Sequence, residues 1–251
     1  MKRIFGKLLL CFVVAMAMMG AGAVAQEAFR GCYKTPMYYP GNCRLVAEDG
    51  LVILKGSDSS YAIATSKEAA LAVISAAIRQ SQSGENGDWV ELAGRKWMLL
   101  KNNGNPLSLV SCGEKGMASL DCRCLQDMDD WLKGKTPEER GAEEEEIFLF
   151  TEVPPIFGGS TDGRKDFIDA ANGWKHYIEA HVRMQADVSG MVYVQVVIEK
   201  DGSIGSAKVL RGLSCEADTE AMRVVASMPK WSPARQRGRV VRSQYTLVAK
   251  F

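Results

Sequence analysis

Histidine is scarce in this sequence, which limits the catalytic and metal-binding chemistry that the protein can support. The 251 residues include two histidines, His176 and His181. Because of their spacing, they do not share a helix face as two metal ligands at i and i+4 would. The sequence also has no H-E-x-x-H, no G-x-S-x-G and no phosphate-binding glycine loop. We therefore expect no catalytic residue, no cofactor and no metal, and we interpret both histidines as residues on a helix surface.

An excess of charge of one sign is missing as well. The chain has 31 Lys and Arg against 30 Asp and Glu, for a formal net charge of +1. Binding to nucleic acid or to an anionic membrane needs a strong excess of positive charge on one face, so we expect neither. The content of 47% hydrophobic and 24% charged residues is ordinary for a soluble globular protein and is enough for two small domains.

Residues 1–25 have the three parts of a secretory signal peptide. Basic residues precede an apolar stretch, Leu8 to Met19, and small residues follow, ending in Ala23-Val24-Ala25. We expect cleavage before Gln26 and a secreted protein. The alternative is an uncleaved membrane anchor, because the uncharged stretch approaches the ~20 apolar residues of a spanning helix. Cleavage is favoured because the second half of the stretch is mostly Ala and Gly, which gain little free energy on transfer into lipid.

Cysteine is frequent after the signal peptide, and a secreted protein is expected to use it in disulfides. Cys122 and Cys124 are spaced C-x-C, whereas structural zinc sites use two to four intervening residues. A Cys–His nucleophile pair is the remaining catalytic alternative, but it needs a reduced cysteine. Five candidates precede residue 150, so either one of them is free or Cys215 pairs across domains. The disulfide candidates are Cys32, Cys43, Cys112, Cys122, Cys124 and Cys215.

Residues 26–132 have the pattern of a small α+β domain, in which we identify no family. Short apolar runs separated by turn residues predict strands, and a capping-box spacing followed by apolar residues on one face predicts a helix. The predicted elements are strands at 51–54 and 61–64, a helix from Thr65-Ser66-Lys67-Glu68 to Arg79, and a hairpin of 89–92 with 96–100.

Residues 133–150 are polar and include the acidic run Glu143 to Glu146. A charge run of this kind is usually a solvated connector. We interpret this stretch as an acidic linker and place the second domain at residues 151–251.

The second domain has the clearest periodicity. Met191 to Lys200 alternates with Val192, Val194, Val196 and Ile198 on one face, which predicts a strand buried on one side. Asp201-Gly202 is a strong hairpin signal. The predicted elements are a helix from Asp166 to about Met184, in one piece or broken at Asn172-Gly173, strands at 191–200 and 204–211, a helix after Gly212 that ends at Pro229, and a last strand from about Arg239 to Lys250.

Several short motifs lie within this order of elements. They are Pro155-Ile156-Phe157-Gly158-Gly159, Gly190-Met191-Val192-Tyr193-Val194, Val197 to Ile204, Val209-Leu210-Arg211-Gly212, Glu220 to Val225, Met228 to Ala234 and Gln236-Arg237-Gly238. In this order they resemble the C-terminal domain of the TonB energy transducer over residues 153–251. The resemblance implies an α+β domain of α-β-β-α-β order with a three-stranded antiparallel sheet, in a periplasmic protein that is not an enzyme.

The resemblance also implies a mode of partner binding. An extended segment of an outer-membrane receptor, or of another envelope protein, adds beside the last strand, and the binding is linked to TonB-dependent transmembrane transport. The candidate partner-binding residues are Arg239, Val240, Arg242, Gln244, Thr246 and Val248 on that strand, and Met184 and Gln185 after the first helix.

Two alternatives concern the same strand edge. It pairs with a second copy in a homodimer, or the N-terminal domain covers it, which would make the protein a structural or sensory adaptor without energy transduction. The cluster of Arg235, Arg237, Arg239 and Arg242 before the strand either holds an acidic partner segment or keeps the edge soluble. We interpret Trp231 as a packed cap on the core.

The sequence departs from the family at two points. Met184-Gln185 stands where the family commonly has Tyr-Pro, in a region that often touches the partner. Full transducers have a transmembrane helix with a histidine and then a long Pro-rich spacer, whereas this chain has eight prolines in all. A flexible connector of about 15 residues spans only roughly 20 Å, so we do not expect reach across the periplasm even from an uncleaved anchor.

Overall fold

A computed structural model describes residues 28–30, 44–48, 51–55, 60–64, 66–92, 94–113, 116–135, 146–158, 164–183 and 189–251. The predicted signal peptide, most of the acidic run, Cys32, Cys43 and the pair Met184-Gln185 lie outside these residues. The described residues contain helices and antiparallel sheets, which confirms the α+β class.

The helices and strands follow one another through both halves of the chain. The helices are α1 (Lys67–Ser83), α2 (Cys122–Leu132), α3 (Arg164–His181) and α4 (Cys215–Ala226). The strands are β1 (Ala28–Arg30), β2 (Arg44–Glu48), β3 (Leu51–Lys55), β4 (Ser60–Ala64), β5 (Trp89–Leu92), β6 (Arg95–Asn102), β7 (Asn105–Gly113), β8 (Gly116–Asp121), β9 (Ile147–Phe148), β10 (Met191–Ile198), β11 (Ile204–Arg211), β12 (Arg235–Gln236), β13 (Arg239–Val240) and β14 (Arg242–Lys250).

The N-terminal half contains two antiparallel sheets, ordered β1-β2-β3-β4 and β5-β6-β7-β8. The predicted strand pair is confirmed as β3 and β4, and the predicted hairpin as β5 and β6. Helix α1 is confirmed too, with Ser66 as its N-cap: the Ser66 side chain accepts a hydrogen bond from the Ala69 amide at 3.2 Å. This satisfies one of the unpaired N–H groups at the helix start.

One core of this half lies between the β5–β8 sheet and helices α1 and α2. Ile74 of α1, Met128 of α2 and Trp97 of β6 are almost fully buried in it. The indole Nε1 of Trp97 donates a hydrogen bond to the Leu92 carbonyl at 3.0 Å, so the buried ring leaves no unsatisfied donor. The sequence pattern does not predict β7, β8 or α2. β7 is buried on consecutive residues and therefore lacks the alternating pattern of a half-exposed strand.

The C-terminal sheet has the order β11-β10-β14-β9. Its first three strands are antiparallel, as predicted, and β9 adds a short fourth strand that is parallel to β14. No strand is predicted for β9, because a two-residue strand has no measurable period. The apolar face of β10 packs with α3 and α4 in a second core, where Val192, Val194, Val196 and Ile198 are buried.

Helix α3 runs unbroken from Arg164 to His181, so the predicted alternative of two pieces broken at Asn172-Gly173 is wrong. Asn-Gly is a turn signal, but a glycine inside a helix costs only about 1 kcal/mol relative to alanine. A Cβ at position 173 would lie 3.4 Å from Cδ1 of Phe157, which is an ordinary van der Waals contact, so the packing there does not require a glycine.

The two halves share the second core. Leu100, Leu107 and Val110 come from β6 and β7, and they belong to the same buried cluster as Met222 and Val225 of α4. The β5–β8 sheet therefore packs α1 and α2 on one face and α4 on the other. Helix α4 also contacts β10 and β11, so it lies between two sheets.

One stripe of α4 faces the N-terminal half. Cys215 forms a disulfide with Cys112 of β7, with a Cα–Cα distance of 5.8 Å, and the Thr219 hydroxyl lies 3.5 Å from the Cys112 sulfur. Met222 and Ala226 continue this stripe at helical spacing. The cross-domain pairing of Cys215, one of the two predicted alternatives, is therefore present.

Asn102 fixes the end of α4 against the turn between β6 and β7. Its side chain is buried, and its Nδ2 donates to the Ala226 and Met228 carbonyls at 2.9 Å each. Its Oδ1 accepts a hydrogen bond from the Ile204 amide at 2.9 Å. One amide group therefore satisfies the helix end and the first residue of β11 together.

We predict that Asn102→Ala lowers the free energy of unfolding by roughly 2–4 kcal/mol, because it leaves buried carbonyls and an amide without partners. Urea unfolding followed by circular dichroism measures the change. Asn105→Ala is the matched control, since Asn105 is exposed at the start of β7, and it should change stability by less than about 0.5 kcal/mol. Equal effects of the two substitutions would contradict the role of Asn102.

Candidate partner-binding edge of the C-terminal sheet

The hydrogen-bond register of β14 shows which of its backbone groups point away from β10. Gly190 and Phe251 exchange both backbone bonds, at 3.0 and 2.9 Å, and the register continues without a shift to Ile198 and Ser243. In an antiparallel pair, residues bonded to the neighbour alternate with residues that point outward. The outward N–H and C=O groups of β14 therefore belong to alternate residues, namely Arg242, Gln244, Thr246, Val248 and Lys250.

The outer side of β14 is occupied only at its beginning. β9 pairs there in parallel, with Ile147 opposite Arg242 and Phe148 opposite Ser243. Within the described residues, no strand lies beside β14 beyond Ser243. The outward backbone groups of Thr246, Val248 and Lys250 thus form an open edge, which we call the β14 edge.

The side chains along the β14 edge leave its backbone accessible. Thr246 and Lys250 are exposed, while Gln244 and Val248 are half-buried. Leu247 and Ala249 point into the core and are buried. The edge thus stands on a packed strand, which limits the entropy lost when an added segment pairs with it.

Of the predicted partner-binding residues, Arg242 has its side chain held inside the protein. Its Nε lies 2.8 Å from Oε2 of Glu199, and its Nη2 lies 3.1 Å from Oε1 of the same carboxylate. Arg123 of α2 also contacts Glu199, with 2.7 Å between Nη2 and Oε1. Glu199 therefore connects the Arg123 side chain of the N-terminal half with the Arg242 side chain, which is turned toward that carboxylate.

Arg239 and Val240 lie in a separate two-strand hairpin just before β14. β12 and β13 pair with Gln236 opposite Arg239, and Arg237 and Gly238 form the turn, with φ values of 50° and 74°. Two consecutive residues at positive φ are typical of a type I′ turn, in which a bulky residue such as arginine is uncommon. The predicted continuous strand from Arg239 is therefore interrupted at Val241.

The hairpin is tied to the segment that enters the domain. The Arg237 amide donates to Oε2 of Glu152 at 2.9 Å, and the Glu152 amide donates to Oε1 of Gln236 at 3.0 Å. Val153 and Arg235 exchange both backbone bonds. Between this hairpin and β9 lies an open depression of about 680 Å³, lined by Glu146, Phe148, Gln236, Arg237, Arg239 and Val241.

The opposite edge strand of the sheet, β11, packs against β7 and β8 of the N-terminal half. Ser206 of β11 lies beside the Asp121 carboxylate at the end of β8. A Cβ at the neighbouring Gly205 would overlap the ends of the Arg123 and Glu199 side chains, so both would have to move to admit a larger residue. The described part of the N-terminal half therefore lies on the β11 side of the sheet and not beside β14.

The carboxylate of Asp121 is buried at this junction. Its Oδ1 accepts a hydrogen bond from the Arg123 amide at 2.8 Å, but its buried Oδ2 has no hydrogen-bond partner among the described residues. Burial raises the pKa of this carboxyl above its ordinary value, against the lowering effect of Ser206 and Arg123. The charged form is thus unfavourable in the folded protein.

The structure describes four of the cysteines, both histidines and Trp231. Cys122 is a free thiol, whereas Cys124 is in a disulfide, so the sequence alternatives of a free cysteine and a cross-domain bond both occur. His176 is largely exposed, and His181 stacks on Tyr177 at 3.8 Å between ring centroids. Trp231 is buried against Phe157 and Tyr245, which agrees with its interpretation as a cap on the core.

The described ranges contain no group of three or more His, Cys, Asp and Glu residues placed to hold a metal ion. In these ranges, no helix combines the length and the apolar character needed to cross a bilayer.

The fold and the edge define the C-terminal half as an α+β module built on an antiparallel sheet. Residues 181–251 match the family model for the Gram-negative bacterial TonB protein C-terminal, which confirms the resemblance. Over residues 181–251 the chain is therefore similar to a TonB C-terminal domain. No curated protein and no solved structure matches the chain.

The family gives the protein a broad functional class. TonB C-terminal domains belong to a non-enzymatic family of transport and energy-transduction proteins of the cell envelope, which typically interact with envelope proteins such as outer-membrane receptors. The match begins at His181, so it covers β10, β11, α4 and β12 to β14 but not the N-terminal half.

We predict that Asp121→Asn makes the folded protein more stable at neutral pH, by about 1 kcal/mol or more, since it removes a buried charge with an unpaired oxygen. A raised folded-state pKa means that the native protein loses stability as pH rises above the unfolded value of 3.8. The advantage of the variant should therefore shrink as pH falls toward 4.

Thermal unfolding of both proteins between pH 4 and pH 8 measures this difference. Glu85→Gln is the control, because Glu85 is exposed and its removal should leave the pH dependence unchanged. A stability gap that is constant across pH, or that grows in acid, would exclude the role assigned to the Asp121 charge.

Proposed function

We propose that this protein is a periplasmic TonB-like protein that binds an extended segment of an outer-membrane receptor, or of another envelope protein, by β-strand addition. The observation that supports this is the β14 edge, on which the N–H and C=O groups of Thr246, Val248 and Lys250 have no strand beside them among the described residues. An exposed edge of this kind is a template for the backbone of another chain.

The binding energy comes from a small number of backbone hydrogen bonds. Each contributes a net ~1 kcal/mol, so a segment of four or five residues gains a modest affinity that is readily reversed. Reversible binding suits a protein that must release a receptor after each transport event. Binding is also favoured because β10 already fixes β14 along its whole length, so β14 itself loses little conformational entropy when a partner pairs with it.

The location follows from the signal peptide predicted at residues 1–25. A mature protein that begins at Gln26 is released into the periplasm, where the proposed partners expose their periplasmic segments. We propose a role linked to TonB-dependent transmembrane transport and no enzymatic activity. The side chains that would recognise the partner are those beside the edge, including Arg239, and the region of Met184 and Gln185.

A second candidate is a structural or sensory envelope adaptor. The packing of α4 between two sheets, with the Cys112–Cys215 disulfide across them, favours a rigid body made of both halves. This contact uses β11 and α4, on the side of the sheet away from the β14 edge. Docking of the N-terminal half therefore does not compete with strand addition. An adaptor that self-associates through the β14 edge would compete with it.

We predict that Thr246→Pro lowers the affinity for an extended receptor segment by about fivefold or more. Proline removes an outward N–H, which is worth ~1 kcal/mol, and proline is tolerated on edge strands. Titration calorimetry of the mature protein with synthetic peptides from the periplasmic plug segments of outer-membrane receptors measures the loss. Thr246→Ala keeps the N–H and is the matched control, which should bind as the native protein does.

Two results would overturn strand addition as the binding mode. One is binding that is equally strong in Thr246→Pro and Thr246→Ala. The other is a native protein that binds none of the peptides and is instead a dimer in light scattering, with the dimer lost in Thr246→Pro. The second result would support self-association through the same edge.

A further inference from the structure

β9, a segment of the protein's own chain, pairs with the first residues of β14, next to the proposed binding edge. β9 consists of Ile147 and Phe148, which pair with β14 and are both half-buried. A two-residue strand makes few ladder bonds and is marginal compared with the full-length pairing of β10 with β14. The contact is therefore weak enough for another strand to replace it.

The chain around β9 allows the segment to leave without disturbing the domain. Phe150, just beyond it, has 90% of its surface exposed. The next fixed point is Val153, which exchanges two backbone bonds with Arg235, and Ile156 does the same with Ser232. These bonds hold the entry segment in place independently of β9. Four residues separate Phe148 from Val153, and a connection of this length allows a short strand to move away.

The geometry of the edge makes β9 a competitor. A partner that pairs with β14 from Thr246 to Lys250 leaves β9 in place, but a longer partner that continues to Arg242 needs the positions that Ile147 and Phe148 occupy. We propose that β9 is a displaceable intramolecular strand that limits how far a partner can pair along β14 and lowers the affinity of long partners. This inference rests on the proposed function, because it concerns the regulation of the same edge.

The test weakens β9 and compares partners of two lengths. Ile147→Gly with Phe148→Gly removes both side chains and raises the entropy cost of ordering the strand. Phe150→Gly is the matched control, since this side chain makes no core contact. We expect the double variant to bind receptor peptides long enough to span Arg242 to Lys250 roughly fivefold or more tightly than the native protein, because release of β9 no longer costs its hydrogen bonds. Five-residue peptides should bind both proteins equally.

A second measurement does not depend on a receptor. A peptide of residues 146–151, with the sequence Glu-Ile-Phe-Leu-Phe-Thr, should bind in trans to the double variant at millimolar concentration and slow amide hydrogen exchange at Arg242. The native protein, in which β9 already pairs with Arg242, should show no such change. Thermal unfolding of the double variant checks that the domain is folded.

The outcomes separate this inference from the proposed function. Unchanged affinity for long peptides in the double variant, with binding still lost in Thr246→Pro, would overturn the role of β9 and keep strand addition. If no receptor peptide binds any variant, strand addition fails, and the trans peptide still decides whether β9 occupies a usable strand site. Equal exchange at Arg242 in the native protein and the double variant would also overturn the proposal.

Discussion

The packing of helix α4 between two sheets is the constraint on which the rest of the structure depends. A surface helix has one apolar stripe, but α4 has Ala217, Ala221 and Val224 buried on one side and Met222 and Ala226 buried on another. Burial on both sides requires a partner layer on each, and those layers are the C-terminal sheet and the β5–β8 sheet. Asn102 and the Cys112–Cys215 bond fix the helix between them.

This arrangement decides which side of the C-terminal sheet is available. The N-terminal half reaches the start of β11 through Asn102, which accepts a hydrogen bond from the Ile204 amide, and through Arg123, which lies beside Gly205. β14 is on the other side of β10, away from that contact, and among the described residues its outer side carries the two residues of β9. One half of the protein thus protects one edge from unwanted pairing, while the other edge stays available for the proposed partner. The same geometry permits a rigid two-part body and strand binding in one molecule.

Charged side chains meet where the two halves of the protein contact each other, although the composition as a whole is close to neutral. Arg242 and Arg123 share the Glu199 carboxylate, and Asp121 is buried beside them. A buried pair of this kind adds little net stability, because desolvation offsets most of the attraction, but it specifies the arrangement of the groups that meet there. The Arg123–Glu199 pair links the two halves, and the Arg242 side chain is held on the same carboxylate, although its place in the sequence put it among the edge residues.

The sequence by itself determined the elements with a clear period and the family of the C-terminal half. Alternation in β10, the Asp201-Gly202 turn and the helical spacing of Ala217, Ala221 and Val224 are local properties that one chain segment expresses alone. It could not show β7, which is buried on consecutive residues, or the two-residue β9. The union of the halves around α4, the pairing of Cys215 with Cys112 and the position of Arg242 were decided by tertiary structure, because contacts between residues about a hundred positions apart leave no periodic signal in either segment.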